Sequence, residues 1–334
     1  MILSNYCTLK NLKKMFSNSK SFELLKFDKD DIYKCFSKRD GETKLGQVIN
    51  NSPKPKYVIL GIEESIGPKA NSGRSGAENG FKSFLSVFNA MQSNESLVGD
   101  NIQILGKVIQ HQEDENDLSK TVEELDDFVF EVLKSHISEN QIPIIIGGGH
   151  NNAFPLISFS KHRFSNSIDV VNLDAHADYR LLEGRHSGNP FSYAFKEGYL
   201  KNYHVFGLHQ RYNSQRTLDD LRRDGHKFTF NESYLMEERN YLDDFKTKMK
   251  EQSNQENYLG IELDLDVIAR MPSSASSPVG ISIETARQYL RIFGTNEKVA
   301  YLHLPEGAPQ TDEEERIVGK TLAYLVSDFI IVHG

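Results

Sequence analysis

IDVVNLDAHADYR, residues 168–180, passes from an apolar, β-branched run into a cluster where Asp174, His176 and Asp178 alternate with alanine. A run of that kind reads as a strand buried on both faces. Carboxylates and an imidazole resist burial, so three of them within residues 174–178, directly after such a strand, call for a partner. A solvated surface turn is the plain alternative.

Similar runs recur at 57–62, 102–105, 143–146, 203–208, 258–265 and 299–304. Between them lie amphipathic stretches at 117–138, 217–223, 283–293 and 313–330; in the first, Leu118, Val122, Leu125, Phe128, Val129, Val132 and Leu133 recur at helical spacing. Strands alternating with helices predict an α/β fold of three αβα layers, a mainly parallel sheet with helices on both faces. Residues 1–50 are rich in lysine, asparagine and serine and read as an N-terminal extension packed on the main body, and 51–334 read as one catalytic domain.

Composition narrows the function classes. The 334-residue chain carries 39 basic and 47 acidic residues, a net charge of −8, with no basic block of the kind that binds nucleic acid or a membrane surface. No run of 18 apolar residues occurs, and the first twenty residues lack a signal-peptide core. Two cysteines, Cys7 and Cys35, are too few for a disulfide framework, which favours a reducing cytoplasm.

The polar clusters share one placement. Gly147-Gly148-Gly149-His150 follows the 143–146 run, the Asp174 cluster follows the next, and Glu262-Leu263-Asp264-Leu265-Asp266 ends the 258–265 run. In open α/β sheets ligands bind beyond the carboxyl ends of the strands. If the last segment stays extended, Asp264 and Asp266 point to one side, and two such carboxylates need a counter-charge. Asp174, Asp178, Asp264 and Asp266 give four negative charges, which two divalent cations balance, with His150 and His176 as neutral imidazole donors. Oxygen-rich ligation with some imidazole suits manganese better than structural zinc. The implied chemistry is two-metal hydrolysis, with a water shared between the ions.

The ordered set resembles the arginase superfamily of ureohydrolases, whose motifs are Gly-Gly-Asp-His, Asp-Ala-His-x-Asp and Ser-x-Asp-x-Asp, from about residue 57 onward. By that resemblance His150 and Asp178 hold one manganese, His176 and Asp266 hold the other, and Asp174 and Asp264 bridge them. "NSGRSGAENGF" (71–81) is similar to the family's glycine-rich stretch, and "HLPEGAP" (303–309) to the stretch carrying the glutamate that contacts the amidine or guanidine, here Glu306. Asp178 is the implied proton relay. The resemblance implies a cytoplasmic homo-oligomer acting on a small molecule.

Three departures bear on tuning and substrate. Gly149 stands where the family has Asp, and Glu262 where it has Ser, which puts metal affinity in question. In "RHSGNPFSYA" Ser187 occupies the position of the histidine taken as a proton shuttle in arginases and agmatinases, with His186 one residue earlier. That pattern, and Arg180 after the Asp174 cluster, look more like formimidoylglutamases of histidine catabolism. Arg180, Ser187, Asn189 and Arg211 are therefore expected to bind substrate, the arginines by pairing with carboxylates. The expected reaction is hydrolysis of N-formimidoyl-L-glutamate to L-glutamate and formamide. An arginase, with His186 swinging into the shuttle role, is the nearest alternative, and a non-catalytic metal-binding homologue is another. Deacetylases of the same fold need fewer ligands, and metallophosphoesterases need motifs that are absent here.

Overall fold

The structure is a computed structural model and describes residues 21–33, 39–111, 117–236 and 239–334. The apolar runs of the sequence become the inner strands of one sheet, with nine strands among the described residues: β1 (Phe22–Lys26), β2 (Tyr57–Glu63), β3 (Ile102–Gln110), β4 (Ile142–Ile146), β5 (Ile168–Leu173), β6 (Leu200–Leu208), β7 (Lys227–Phe230), β8 (Leu259–Leu263) and β9 (Val299–Leu304). Their spatial order is β1-β3-β2-β4-β9-β8-β5-β6-β7. Every described pairing is parallel except β1 with β3. The four central strands, β4, β9, β8 and β5, are buried at every position, which is why they read as continuous rather than alternating apolar runs.

Helices cover both faces. On one, Gly80–Phe88, Tyr241–Ser253, Ile283–Phe293 and Asp312–His333 pack side chains such as Phe84, Phe245, Tyr289 and Leu322 against Ile144, Val171, Ile261 and Leu302. On the other, Leu118–His136, Ala153–Phe164, Pro190–Lys196 and Gln215–Arg223 set Val129, Leu156, Phe191 and Leu221 against Leu60, Ile145, Val170 and Val205. Each such burial contributes about 1.5–3 kcal/mol. The α/β three-layer expectation thus holds. Local signals fix the helix starts: Asp117, Ser282 and Thr311 each accept a hydrogen bond from a backbone N–H of the first turn.

Within the N-terminal stretch, β1 extends the sheet as an antiparallel edge beside β3. Cys7 and Cys35 lie outside the described residues. Among those described, no helix is long and apolar enough to cross a membrane. One difference concerns the expected 258–265 strand: β8 ends at Leu263, and Leu265–Val267 forms a single 3₁₀ turn.

The chain order places the site. β4 and β5 follow one another in sequence, yet β9 and β8 are inserted between them in space. Their carboxyl ends therefore present residues from four distant segments to one crevice. After β4 the backbone turns through Gly147 and Gly148, with φ of 84° and 69°. A side chain on Gly147 would also approach the Ile62 carbonyl oxygen to 2.9 Å, so glycine is required there.

Candidate metal centre

Asp174 and Asp264 leave their strands in the same way. Asp174 Oδ1 accepts the His176 N–H at 2.7 Å, and Asp264 Oδ1 accepts the Asp266 N–H at 2.8 Å. These are side-chain-to-backbone turns two residues long, the natural habit of aspartate at the end of a strand. The turn, and not an extended strand as the sequence suggested, brings Asp264 and Asp266 together. In both aspartates Oδ2 is left to face inward.

Both Oδ2 atoms converge on His150. Its Nδ1 lies 2.9 Å from Asp178 Oδ2, 3.1 Å from Asp264 Oδ2 and 3.2 Å from Asp174 Oδ2. None of these approaches has hydrogen-bond geometry, although the ring is fully buried. Three carboxylate oxygens gathered around one unpartnered imidazole nitrogen make a donor set for a cation, so the residues fit a metal ion. A second group adjoins it: His176 Nδ1 lies 2.8 Å from Asp266 Oδ2 and 3.8 Å from Asp174 Oδ1. Asp174 thus belongs to both groups.

The electrostatics describe the same deficit of positive charge. Burial, with repulsion from Asp178 adding to it, pushes the Asp174 carboxyl up to about 6, and burial with repulsion from Asp266 and Asp174 drives Asp264 well above the carboxylate range. Burial alone would lower the two histidines. The aspartates around His150, and Asp266 beside His176, outweigh it and raise both well above the ordinary value. Asn172 Nδ2 steadies the cluster by donating to Asp174 Oδ2 at 2.9 Å.

Glu306 is buried on a backbone of φ 67°, just after β9. Its Oε1 accepts the His150 N–H at 2.8 Å, and Oε2 accepts the Ser274 hydroxyl. Burial pushes its carboxyl up to about 8 against the pull of those two donors, with Asp266 and Asp178 adding repulsion. Asp178 also has a left-handed backbone, φ 44°. Two strained non-glycine residues therefore flank the site.

The expected substrate contacts separate. Arg180 follows the cluster, is 53% exposed, donates to Asn71 Oδ1 at 2.6 Å and lies 3.4 Å from Glu183. Ser187, close by, meets Asn71 Nδ2 at 3.4 Å. Asn189 is fully buried, accepts from Arg185 and from the His186 N–H, and donates to the Leu181 and Gly184 carbonyls, so its amide holds the loop. The Arg211 side chain is 82% exposed and pairs with Glu232. His186 is tied locally, Nδ1 accepting from the Gly188 N–H and Nε2 meeting Glu183 at 3.4 Å.

Other residues of the site were hidden in the sequence because only long-range packing brings them in. Tyr212 stacks on His176 with ring centroids 5.3 Å apart, and its loop is tied to the cluster by Asn213, which accepts from the Ala177 N–H and donates to the Ala175 carbonyl. Glu64 explains Gly149. The buried Glu64 carboxylate accepts from the N–H of Gly149 and from the side chains of Asn151 and Asn152. A side chain at 149 would collide with Pro68 and Asn151, so the carboxylate that supports this turn comes from the end of β2 instead.

This fold has relatives among known proteins. The arginase family model matches residues 55–331. The formimidoylglutamase of Chromobacterium violaceum is 27% identical over 249 residues, 72% of this chain and 75% of that one. Among solved structures, formimidoylglutamase from Bacillus subtilis has a TM-score of 0.76 at 17% identity, over 89% of this chain and 94% of that chain. Trypanosoma cruzi formiminoglutamase with Mn2+ has a TM-score of 0.69 at 21% identity, over 86% of this chain and 98% of that chain. These structures share the fold of this chain.

Proposed function

The chain belongs to the arginase family, and from that premise we propose that it hydrolyses a C–N bond of a linear amidine, N-formimidoyl-L-glutamate, to L-glutamate and formamide. The observation that carries the reading is the ring of Asp174, Asp178 and Asp264 oxygens around the buried, unpartnered His150 Nδ1. In this reading His150, Asp174, Asp178, Asp264, His176 and Asp266 would together hold two manganese ions. Bound there, two manganese ions supply charge that balances the four aspartates and acidifies water near neutral pH.

The remaining chemistry belongs to the side chains. Water adds to the amidine carbon and the bond to the glutamate nitrogen breaks; Asp178, whose side chain is 12% exposed, takes the water's proton and returns it to the leaving nitrogen. Glu306 is a carboxyl short of positive charge, and a cationic amidine beside it supplies what burial denies. Tyr212, stacked on His176, walls off that side of the site from water. Arg180 pairs with a carboxylate of the substrate, exchanging its Asn71 and Glu183 contacts for a charge-assisted fork. Because His186 is held by Gly188 and Glu183, the side chain that an arginase-type shuttle would need is already engaged.

The test is a substrate panel on manganese-loaded protein. Formamide release from formimidoylglutamate should exceed urea release from arginine or agmatine. A preference for either guanidine would overturn the substrate assignment, and manganese binding with no turnover on any of them would favour the non-catalytic alternative. The reading carries with it a cytoplasmic homo-oligomer of histidine breakdown.

A further inference from the structure

His150 has two ring nitrogens, and the centre uses only one. If Nδ1 offers its lone pair to a cation among the aspartates, a neutral ring must carry its proton on Nε2. That proton then sits in a fully buried environment and needs an acceptor. Nε2 also has no hydrogen-bond partner among the described residues, and Glu262 Oε2 faces it at 3.4 Å, a short adjustment from bonding distance. The same oxygen lies 2.6 Å from His303 Nδ1. Glu262 and His303 are register partners on adjacent strands β8 and β9, both fully buried. A carboxylate and an imidazole paired within the core of a sheet are costly to keep and have no role in packing.

We propose that Glu262, itself fixed by His303, is the positioning residue that holds the Nε2 proton of His150 and so aims Nδ1 at the aspartates. The inference rests on the reading of His150 as a metal ligand. It gives the Glu262 departure a purpose: a carboxyl, with two acceptor oxygens and a second anchor in His303, fixes the ring more firmly than a hydroxyl would. His303 Nδ1 donates to the carboxylate and stops it from rotating away.

Manganese affinity of the full chain, measured by equilibrium dialysis with metal counting, tests this alongside the melting temperature of the metal-free protein. Glu262→Gln should weaken one of the two ions about 10–100-fold and leave the other nearly unchanged. His303→Leu should weaken the same ion to a smaller degree, whereas His303→Asn, which retains an N–H near the Nδ1 position, should restore it. If Glu262→Gln fails to fold, the two His303 variants decide alone. Unchanged affinity in Glu262→Gln and His303→Leu overturns the inference while leaving the metal reading intact. Equal weakening of both ions in step with the melting temperature also overturns it, because a merely structural role predicts that. Absence of manganese from the unaltered protein removes the metal reading itself, and the inference with it.

Discussion

Asp174 and Asp264 each divide their work between two oxygens, one closing a turn on the residue two ahead and the other facing His150. Replacement by asparagine keeps the turn and removes the charge. Asp264→Asn should therefore fold, with a raised melting temperature in the metal-free state, while manganese bound per chain falls; a variant that still binds two ions would argue against the proposed bridge. At Arg180 the expected effect is on substrate. Loss of a charge-assisted pair costs about 1.5–3 kcal/mol, so Arg180→Ala should raise KM for formimidoylglutamate by roughly 10–100-fold with unchanged manganese content. Arg211→Ala, already turned to solvent, should change KM little. His226 sets a pH limit far from the centre. It is 6% exposed, neither ring nitrogen has a hydrogen-bond partner among the described residues, and burial, opposed by Asp224, lowers its pKa to about 4. The unfolded chain takes up this proton as pH falls through about 6.5 and the folded chain only near 4, so stability is full above 6.5 and lost on the way down. His226→Phe, placed among the rings of Tyr179, Phe195 and Tyr203, should flatten that loss by about 1.4 kcal/mol per pH unit, read from denaturant melts between pH 6.5 and 4.5.

Between the elements, a buried ion pair joins the 118–136 helix to the turn after His150 and to the loop carrying Asn189. Arg185, 2% exposed, donates to Asp126 of the 118–136 helix at 2.9 Å, to Asn189 at 3.0 Å and to the Asn151 carbonyl at 3.2 Å, and lies over the rings of Phe154 and Tyr193. Without it the Asp126 carboxyl is stranded; burial already pushes that group up to about 7 against the pull of Arg185. Arg185→Met should cost on the order of 3–5 kcal/mol in urea unfolding, and Arg185→Met with Asp126→Leu should recover much of it. Equal losses in the single and double variants would mean that the guanidinium acts by packing alone. The sequence could not display this clamp, since Arg185 looks there like any loop charge. The same limit governed the elements. Central strands declared themselves through two-sided burial, and the aspartates through their place at strand ends. The edge strands β1 and β7, each paired on one side only, were missed because their sequences, FELLK and KFTF, interrupt apolar character with charge and threonine. The motif position of Asn189 gave no sign of the four hydrogen bonds that enclose it.

Across the whole molecule, the crevice stands where β4, β9, β8 and β5 lie side by side although the chain visits them far apart. An ion shared by these strand ends should behave as a fastener for the sheet. Saturating manganese at about 100 times its dissociation constant adds about 2.7 kcal/mol to stability, and a chelator should remove that increment, visible as a fall in melting temperature. The arrangement also has a history in time. His150 and the 174–178 cluster are synthesised more than eighty residues before Asp264 and Asp266, and β8 must slot between β5 and β9 before the four aspartates meet. Such distant pairings form slowly. On the proposed reading, ion capture should therefore be a late event, a signal that β8 has taken its place beside β5. In a refolding experiment, manganese uptake should lag behind the recovery of helical signal, and a chain still on the ribosome short of residue 266 should have no finished site to load.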